Sequence, residues 1–364
     1  MPSAPVAPGA FYDGSVRIGI LTGGGDCPGL NAVIRAVVMT ARIEHGDDVV
    51  GFLDGWRGAM EGAVVPLEVE RCRDILPLGG TILGTSRTNP FATEGGGEKV
   101  VATLEEHAVD AVVVVGGDDT LGVGLRLGAF GVRVVGVPKT IDNDLSGTEV
   151  TFGFDTAVQI ATEAIDRLRT TAESHHRVIV CEVMGRHVGW IATHAGIAGG
   201  AEDILVPEVP FDLDDICNRL RRQHAEGRFS SIVVVAEGAM PAEGPDADAA
   251  RAATASTAVD QFGHVRLGGI GAWLANEIEA RTGMETRFTT LGHIQRGGTP
   301  TAFDRVLATR FGVEAVGAVH DGDFGVMVAL QAGRIVRIPI ADAVGNPKTV
   351  DLDLYRRVAG VFRY

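Results

Sequence analysis

Cysteine is scarce and dispersed. Cys27, Cys72, Cys181 and Cys217 stand alone in 364 residues, with no CxxC pair among them. That argues against a disulfide framework or a structural zinc site, and for reduced thiols in a cytoplasmic protein. Basic residues are in deficit as well: 32 Lys and Arg stand against 47 Asp and Glu, a net charge of −15. A general binder of nucleic acid or membrane surfaces would carry a basic field, so neither partner is expected. An anionic small substrate is not excluded, because local arginines decide that. No run reaches the roughly 18 apolar residues of a membrane span. The first fifteen residues hold Pro, Ala and Gly without a basic n-region or an apolar h-region. They read as a loose arm, not as a signal peptide.

The length is too great for a typical single core and suits two lobes. A hydrophobic share of 45% allows a substantial core. Glycine is abundant: 50 residues, about twice the usual share. Much of it follows apolar runs, where a protein built from phosphate-handling loops would need it.

One stretch concentrates these features: Val112-Val113-Val114-Val115-Gly116-Gly117-Asp118-Asp119-Thr120-Leu121. The valines predict a strand buried on both faces. The glycines allow a sharp turn with bare N–H groups, and a helix pattern begins at Leu121. Acidic residues at a helix start are often no more than favourable caps, and Asp119 could cap this one. After a buried strand and Gly-Gly they also suit a place where a metal ion meets phosphate.

A strand over 16–21 runs into Thr22-Gly23-Gly24-Gly25-Asp26-Cys27-Pro28-Gly29, with a helix predicted from Leu30 to about His45. The loop is no dinucleotide fingerprint, because Pro28 stands where the third glycine belongs. It is no Walker loop, because Leu30-Asn31 replaces Lys-Ser/Thr. It is either a tight turn or a phosphate cradle whose cation comes from elsewhere. Gly79-Gly80-Thr81 leads to Arg87, which is a solvated loop charge or a phosphate contact. A strand over 132–137 ends at Pro138-Lys139-Thr140-Ile141-Asp142-Asn143-Asp144. A right-handed crossover would set it parallel to the valine strand, so both loops open on the edge where α/β sheets bind ligands. Asp118, Asp142 and Asp144 then imply a cation or a proton transfer.

Further strands are expected over 178–183, ending at Met184-Gly185-Arg186, and over 231–236, ending at Glu237-Gly238. His175 and His176 are adjacent, and adjacent side chains diverge, so both read as structural or surface residues. Residues 241–256 read as a mobile loop or short helix. Arg287, His293 and Arg296, interleaved with apolar and glycine positions through Gly297-Gly298, suit a phosphate ester. A helix over 301–319 and a last clear strand over 325–330 follow.

In this order the motifs resemble the 6-phosphofructokinases of the bacterial type, from about Arg17 to beyond Arg310. The resemblance implies a two-lobed, three-layer α/β/α fold with mostly parallel sheets. A donor lobe would take 16–153 plus about 295–345, and a fructose 6-phosphate lobe 154–294 plus about 346–364. It implies phosphoryl transfer to the 1-hydroxyl of fructose 6-phosphate, with Asp142 as general base and Lys139 and Arg186 assisting. Asp118, with Asp144 nearby, would hold Mg²⁺. Gly24, Gly25, Arg87, Gly117, Asp119, Thr120 and Thr140 would line the donor. Thr140, Asp142, Asp144, Met184, Gly185, Arg186 and Glu237 would bind the sugar. Arg177, Arg287, His293 and Arg296 would hold its 6-phosphate. In the family the counterparts of Arg177 and Arg287 come from a neighbouring subunit, so a homodimer or homotetramer is implied.

Two departures refine the resemblance. ATP-using members commonly carry glycine where this chain has Asp119. A carboxylate there would repel a nucleotide's α-phosphate by roughly 4 kcal/mol at about 4 Å and an effective dielectric of 20. Pyrophosphate ends before that point, and Lys139 also resembles the pyrophosphate-dependent members. Pyrophosphate is therefore the expected donor, with ATP as the alternative. Arg35 is present, but Met39 replaces a second arginine of the family's effector site, so little allosteric control is expected. A catalytically dead binding subunit would be expected to lose Asp118 or Asp142. A diacylglycerol- or NAD-kinase-like enzyme shares only Gly-Gly-Asp.

Overall fold

The computed structural model describes residues 15–255 and 268–361, so residues 1–14 of the expected arm lie outside it, as does Ser256. The chain opens with strand β1 (Arg17–Thr22), helix α1 (Leu30–Met39), β2 (Asp48–Phe52), α2 (Trp56–Glu61) and β3 (Val64–Pro66). Then come α3 (Val69–Cys72), α4 (Gly96–Glu106), β4 (Ala111–Gly116), α5 (Asp118–Gly128) and β5 (Val134–Pro138). Next are α6 (Phe154–His175), β6 (Val178–Val183), α7 (Trp190–Ala198), β7 (Asp203–Leu205), α8 (Leu213–Ala225) and β8 (Ser231–Ala236). They lead to α9 (Pro245–Thr254), α10 (Ile270–Thr282), β9 (Thr286–Thr290), α11 (Ala302–His320), β10 (Val326–Gln331) and β11 (Arg334–Pro339). The last two helices are α12 (Ile340–Ala343) and α13 (Leu352–Leu354).

The chain divides into two units. The first comprises residues 1–141, 145–153 and 296–346; the second comprises 142–144, 154–295 and 347–364. The first holds a seven-stranded sheet in the order β11-β10-β5-β4-β1-β2-β3. Its five inner strands run parallel, and β11 and β3 pair antiparallel at the edges. The valine run explains why β4 lies in the middle. Every residue of Ala111–Gly116 is buried, and each buried valine stabilises by about 1.5–3 kcal/mol. From β1 the chain moves outward to β2 and later returns to the other side at β4. The gap between β1 and β4 is thus a topological switch point, where open α/β sheets bind ligands. Register aligns the strand ends there, with Thr22 opposite Val115 and Gly116 opposite Pro138.

Close backbone approach supports this unit. A Cβ on Gly312 in α11 would lie 2.6 Å from the Cβ of Ala36 in α1, so only glycine lets these two helices pack at this distance. The second unit holds a four-stranded parallel sheet, β7-β8-β6-β9, with β6 and β8 wholly buried. Its core joins Val180, Val233 and Val235 to Ile216, Leu220, Leu274 and Ile278 from α8 and α10.

The helix expected from Leu30 to about His45 is present, turning π-helical over Thr40–His45. The stretch over 241–256, read as a mobile loop or short helix, contains helix α9 over Pro245–Thr254. Three edge strands carried too little apolar signal to foresee. β3 is three residues long, β9 exposes Arg287 and Phe288, and β11 is only half-buried. No described helix is long and apolar enough to cross a membrane.

All four cysteines are unpaired and buried. Burial pushes the Cys27 and Cys181 thiols up to about 12, and raises Cys72 and Cys217. The folded state therefore keeps protons that the unfolded chain loses above about pH 8.5, so these groups lower stability as pH rises through that range. At pH 8 a chromogenic disulfide reagent should label none of the four within minutes in buffer and all four in guanidinium. Rapid labelling of Cys27 in the native protein would contradict this placement.

Candidate active site

In the first unit the loops after β1, β4 and β5 meet at the switch point. The β1 loop is held through its carbonyls. Thr85 Oγ1 donates to the Gly24 carbonyl at 2.7 Å, Lys139 Nζ to that of Gly25 at 2.5 Å, and Arg296 Nη1 to that of Asp26 at 3.3 Å. The Gly24 N–H donates to the Ser86 carbonyl. Among the described residues the Gly25 and Asp26 N–H groups meet no protein acceptor. Backbone donors flanked by two cations form an anion cradle of the kind glycine-rich turns supply.

The glycines are required by what surrounds them. Gly24 has φ of 79°, in the left-handed region. A Cβ on Gly25 would meet the Arg296 guanidinium at 2.6 Å. One on Gly23 or Gly116 would strike the Thr120 side chain at 2.5 or 2.3 Å. Thr120 is buried, and its carbonyl accepts from Trp56 Nε1 at 3.2 Å. Asn31 fixes the neighbouring turn: its amide donates to the Leu78 and Gly79 carbonyls and accepts the Ile82 N–H. Arg87 is exposed nearby in sequence, on the same chain stretch as Thr85 and Ser86.

Helix α5 starts one turn earlier than its apolar pattern suggests, because Asp118 is already its first residue. Gly117 occupies the N-cap position and no side chain caps the helix. Asp119 therefore does not cap it, and stands half-buried in the first turn beside the positive end of the helix dipole. Asp118 is exposed, and its Oδ1 accepts the Gly345 N–H at 2.6 Å. No cluster of three or more His, Cys, Asp or Glu that could hold a metal exists among the described residues. A lone carboxylate beside a phosphate cradle still fits Mg²⁺, which takes one or two carboxylates and fills its shell with phosphate oxygens and water.

Thr140 and Ile141 are buried, and Thr140 accepts from Thr151 Oγ1 through its carbonyl. Asp142, Asn143 and Asp144 belong to the second unit. There, the strand ends of β6, β8 and β9 present Met184-Gly185-Arg186, Glu237-Gly238 and Leu291–Gln295 on one edge. Gly185 has φ of 143°, and its carbonyl accepts the Gly238 N–H at 3.1 Å. A Cβ on Gly238 would lie 1.9 Å from the Arg186 carbonyl, so the two loops touch backbone to backbone. Buried Gln295 joins them to the third: it accepts the Met184 N–H at 3.4 Å and donates to the Gly292 carbonyl. Met184, Arg186 and Glu237 are half-buried and His293 is exposed. Nearby, burial first and then the Lys348 ammonium hold the His194 imidazole below its ordinary value.

Two groups of expected residues are separated. Arg296, expected beside His293 on the sugar phosphate, is seated in the first unit against the glycine loop. Arg177 and Arg287 lie at the starting ends of β6 and β9, both paired with Glu285, at 2.9 and 2.8 Å. The six residues of β6 separate Arg177 from the Met184-Gly185-Arg186 loop by about 20 Å, and Arg287, level with Ile179, is about 13 Å from it. Asn31, Trp56, Gln295 and Gly345 were absent from the residues singled out by sequence. Only Asn31 and Gln295 had a signal, since both fall inside glycine-rich motifs.

The phosphofructokinase family model matches residues 17–319. The chain is 59% identical over 348 residues to a pyrophosphate–fructose 6-phosphate 1-phosphotransferase of Streptomyces coelicolor, covering 95% of this chain and 99% of that one. It is 52% identical over 350 residues to an ATP-dependent 6-phosphofructokinase of Corynebacterium efficiens, covering 96% and 99%. Among solved structures, Pichia pastoris phosphofructokinase in the T-state superposes with a TM-score of 0.78 at 31% identity. That match covers 96% of this chain and 37% of the longer yeast chain. A pyrophosphate-dependent phosphofructokinase from Marinobacter aquaeolei shares the fold, with a TM-score of 0.79 at 21% identity over 95% and 91% of the two chains. Matched by the family model over residues 17–319 and by relatives along nearly its whole length, the chain belongs to the phosphofructokinase family.

Proposed function

We infer that the protein transfers a phosphoryl group from pyrophosphate to the 1-hydroxyl of fructose 6-phosphate, giving fructose 1,6-bisphosphate and phosphate. The observation that carries the choice of donor is Asp119, a second carboxylate in the first turn of α5, directly after the Gly-Gly turn at the switch point. A donor that ends at its second phosphoryl group avoids that charge, whereas a nucleotide must pass it. The greater likeness to a pyrophosphate enzyme, 59% against 52% for an ATP enzyme, supports the same choice. ATP is the second reading, favoured by that 52% likeness over full length.

The chemistry assigns each group a task. The β1 loop N–H groups, with Lys139 and Arg296, hold the donor phosphates; Gly117, Thr120, Thr140 and Arg87 complete that side. Asp142 accepts the proton of the 1-hydroxyl as its oxygen bonds to the transferring phosphorus and the bridging P–O bond breaks, releasing phosphate. Lys139 balances charge on the transferring group. Asp118 would hold Mg²⁺, which supplies charge neutralisation across the phosphates when bound. Asp144, Met184, Gly185, Arg186 and Glu237 orient the sugar, and His293 receives its 6-phosphate. Both ends of the reaction are phosphate compounds of similar transfer potential, so it runs in either direction.

As the family resemblance implies, Arg177 and Arg287 would serve the 6-phosphate of a second copy of the chain, and their place at the end of the sheet opposite the sugar loops supports this. On that reading the working form is at least a homodimer, or a homotetramer.

Purified protein with Mg²⁺ and fructose 6-phosphate should form the bisphosphate from pyrophosphate and at least about a hundredfold more slowly from ATP, the factor that close to 3 kcal/mol of donor discrimination supplies. Turnover with ATP alone would overturn the reading. Asp119→Gly should narrow the preference by about tenfold or more by relieving the charge conflict. An unchanged donor ratio would remove Asp119 from the specificity argument.

A further inference from the structure

The loop Asp142-Asn143-Asp144 is gripped by a segment some two hundred residues away in sequence. Asn143 is 2% exposed and has φ of 52°, in the left-handed region that asparagine tolerates better than most residues. Lys348 Nζ donates to its Oδ1 at 2.9 Å. The Lys348 N–H donates to the Asp144 carbonyl at 2.8 Å. The Lys348 carbonyl accepts Trp190 Nε1, also at 2.8 Å, and its ammonium lies 5.4 Å from the centre of the Trp190 ring. Two residues on, the Val350 N–H donates to Glu208 Oε1, and both oxygens of Glu208 accept the Gly189 N–H that precedes α7. All these residues belong to the second unit.

From this geometry we propose that Lys348 is a positioning residue for phosphoryl transfer: bonded to Asn143 and Asp144 and braced on Trp190, it fixes the direction of the Asp142 carboxylate. The inference rests on the assignment of Asp142 as the base toward the 1-hydroxyl. A carboxylate that must accept a proton in line with bond formation needs its backbone held, and a displacement of about 1 Å costs on the order of a hundredfold in rate. Asn143 stands between the two aspartates with its side chain turned into the protein. Whatever fixes that amide fixes the peptide planes on either side. Lys348 does so through side chain and backbone together.

The test uses Lys348→Met, which keeps the stem over Trp190 and removes the ammonium, and Asn143→Gly, which keeps the left-handed backbone accessible and removes the amide. Each is assayed with pyrophosphate, Mg²⁺ and fructose 6-phosphate beside the unaltered protein, with folding followed by circular dichroism. Each should lower kcat by about ten- to a hundredfold and leave KM for pyrophosphate within roughly twofold. The double variant should be no slower than the slower single variant, because both changes break one contact. Unaltered kcat in either single variant, or losses that multiply in the double, would overturn the proposal. If Lys348→Met does not fold, Asn143→Gly decides alone on the same criterion. Failure of the unaltered protein to use pyrophosphate would instead refute the parent assignment, so the two failures are distinguishable.

Discussion

The site depends on one buried ammonium. Lys139 is 4% exposed, and its Nζ meets the Gly25 carbonyl at 2.5 Å while its own N–H meets the Gly116 carbonyl at 2.9 Å. A single residue thus ties the end of β5 to the glycine loop after β1 and to the end of β4. Removing an ammonium from water costs several kcal/mol unless oxygens replace its hydration shell. The Gly25 carbonyl is one such oxygen, and a bound anion would add more. The chain as a whole carries −15, so its field repels polyanions in general. Lys139 and Arg296 reverse the sign locally, on two successive carbonyls of one loop. That local reversal suits a small, highly charged anion within an acidic protein.

Around that charge the packing leaves little freedom. Thr120 fills the space that side chains on Gly23 and Gly116 would need, and Arg296 fills the space beside Gly25. Cys27, at the loop's far end, is kept a neutral thiol by its burial. The two aspartates after Gly117 have separate surroundings. Asp118 points outward and is steadied by a backbone N–H, while Asp119 is half-buried in the first helical turn. On the proposed reading, repulsion between the second carboxylate and a longer donor would supply the selectivity, at a position where the helix dipole offsets its cost.

Much of this was legible locally. The strands Val178–Val183 and Ser231–Ala236 could be read to the residue, because fully buried parallel strands are continuous apolar runs with polar ends. Strand β9 could not. Thr286-Arg287-Phe288-Thr289-Thr290 alternates a charge with exposed apolar and hydroxyl groups at a sheet edge, which resembles a loop until its pairing with β6 is seen. The site divides in the same way. Residues carried by a glycine motif announced themselves. Gly345, which steadies Asp118 from 227 positions away, and Lys348, which grips Asn143 from 205 positions away, occupy a stretch with no motif of its own. Arg296 sat inside a recognisable motif, yet the motif could not tell that its side chain turns to the glycine loop 270 positions earlier. Long-range partners are fixed by topology, and topology is not written at any one position.

The central claim is that Lys139 exists to hold the donor. Isothermal titration calorimetry of pyrophosphate and, separately, of fructose 6-phosphate onto the unaltered protein and Lys139→Met tests it without relying on turnover. The account predicts at least about a tenfold loss of pyrophosphate affinity, the equivalent of close to 1.4 kcal/mol, with fructose 6-phosphate binding unchanged. Equal pyrophosphate affinity in the two proteins would contradict it.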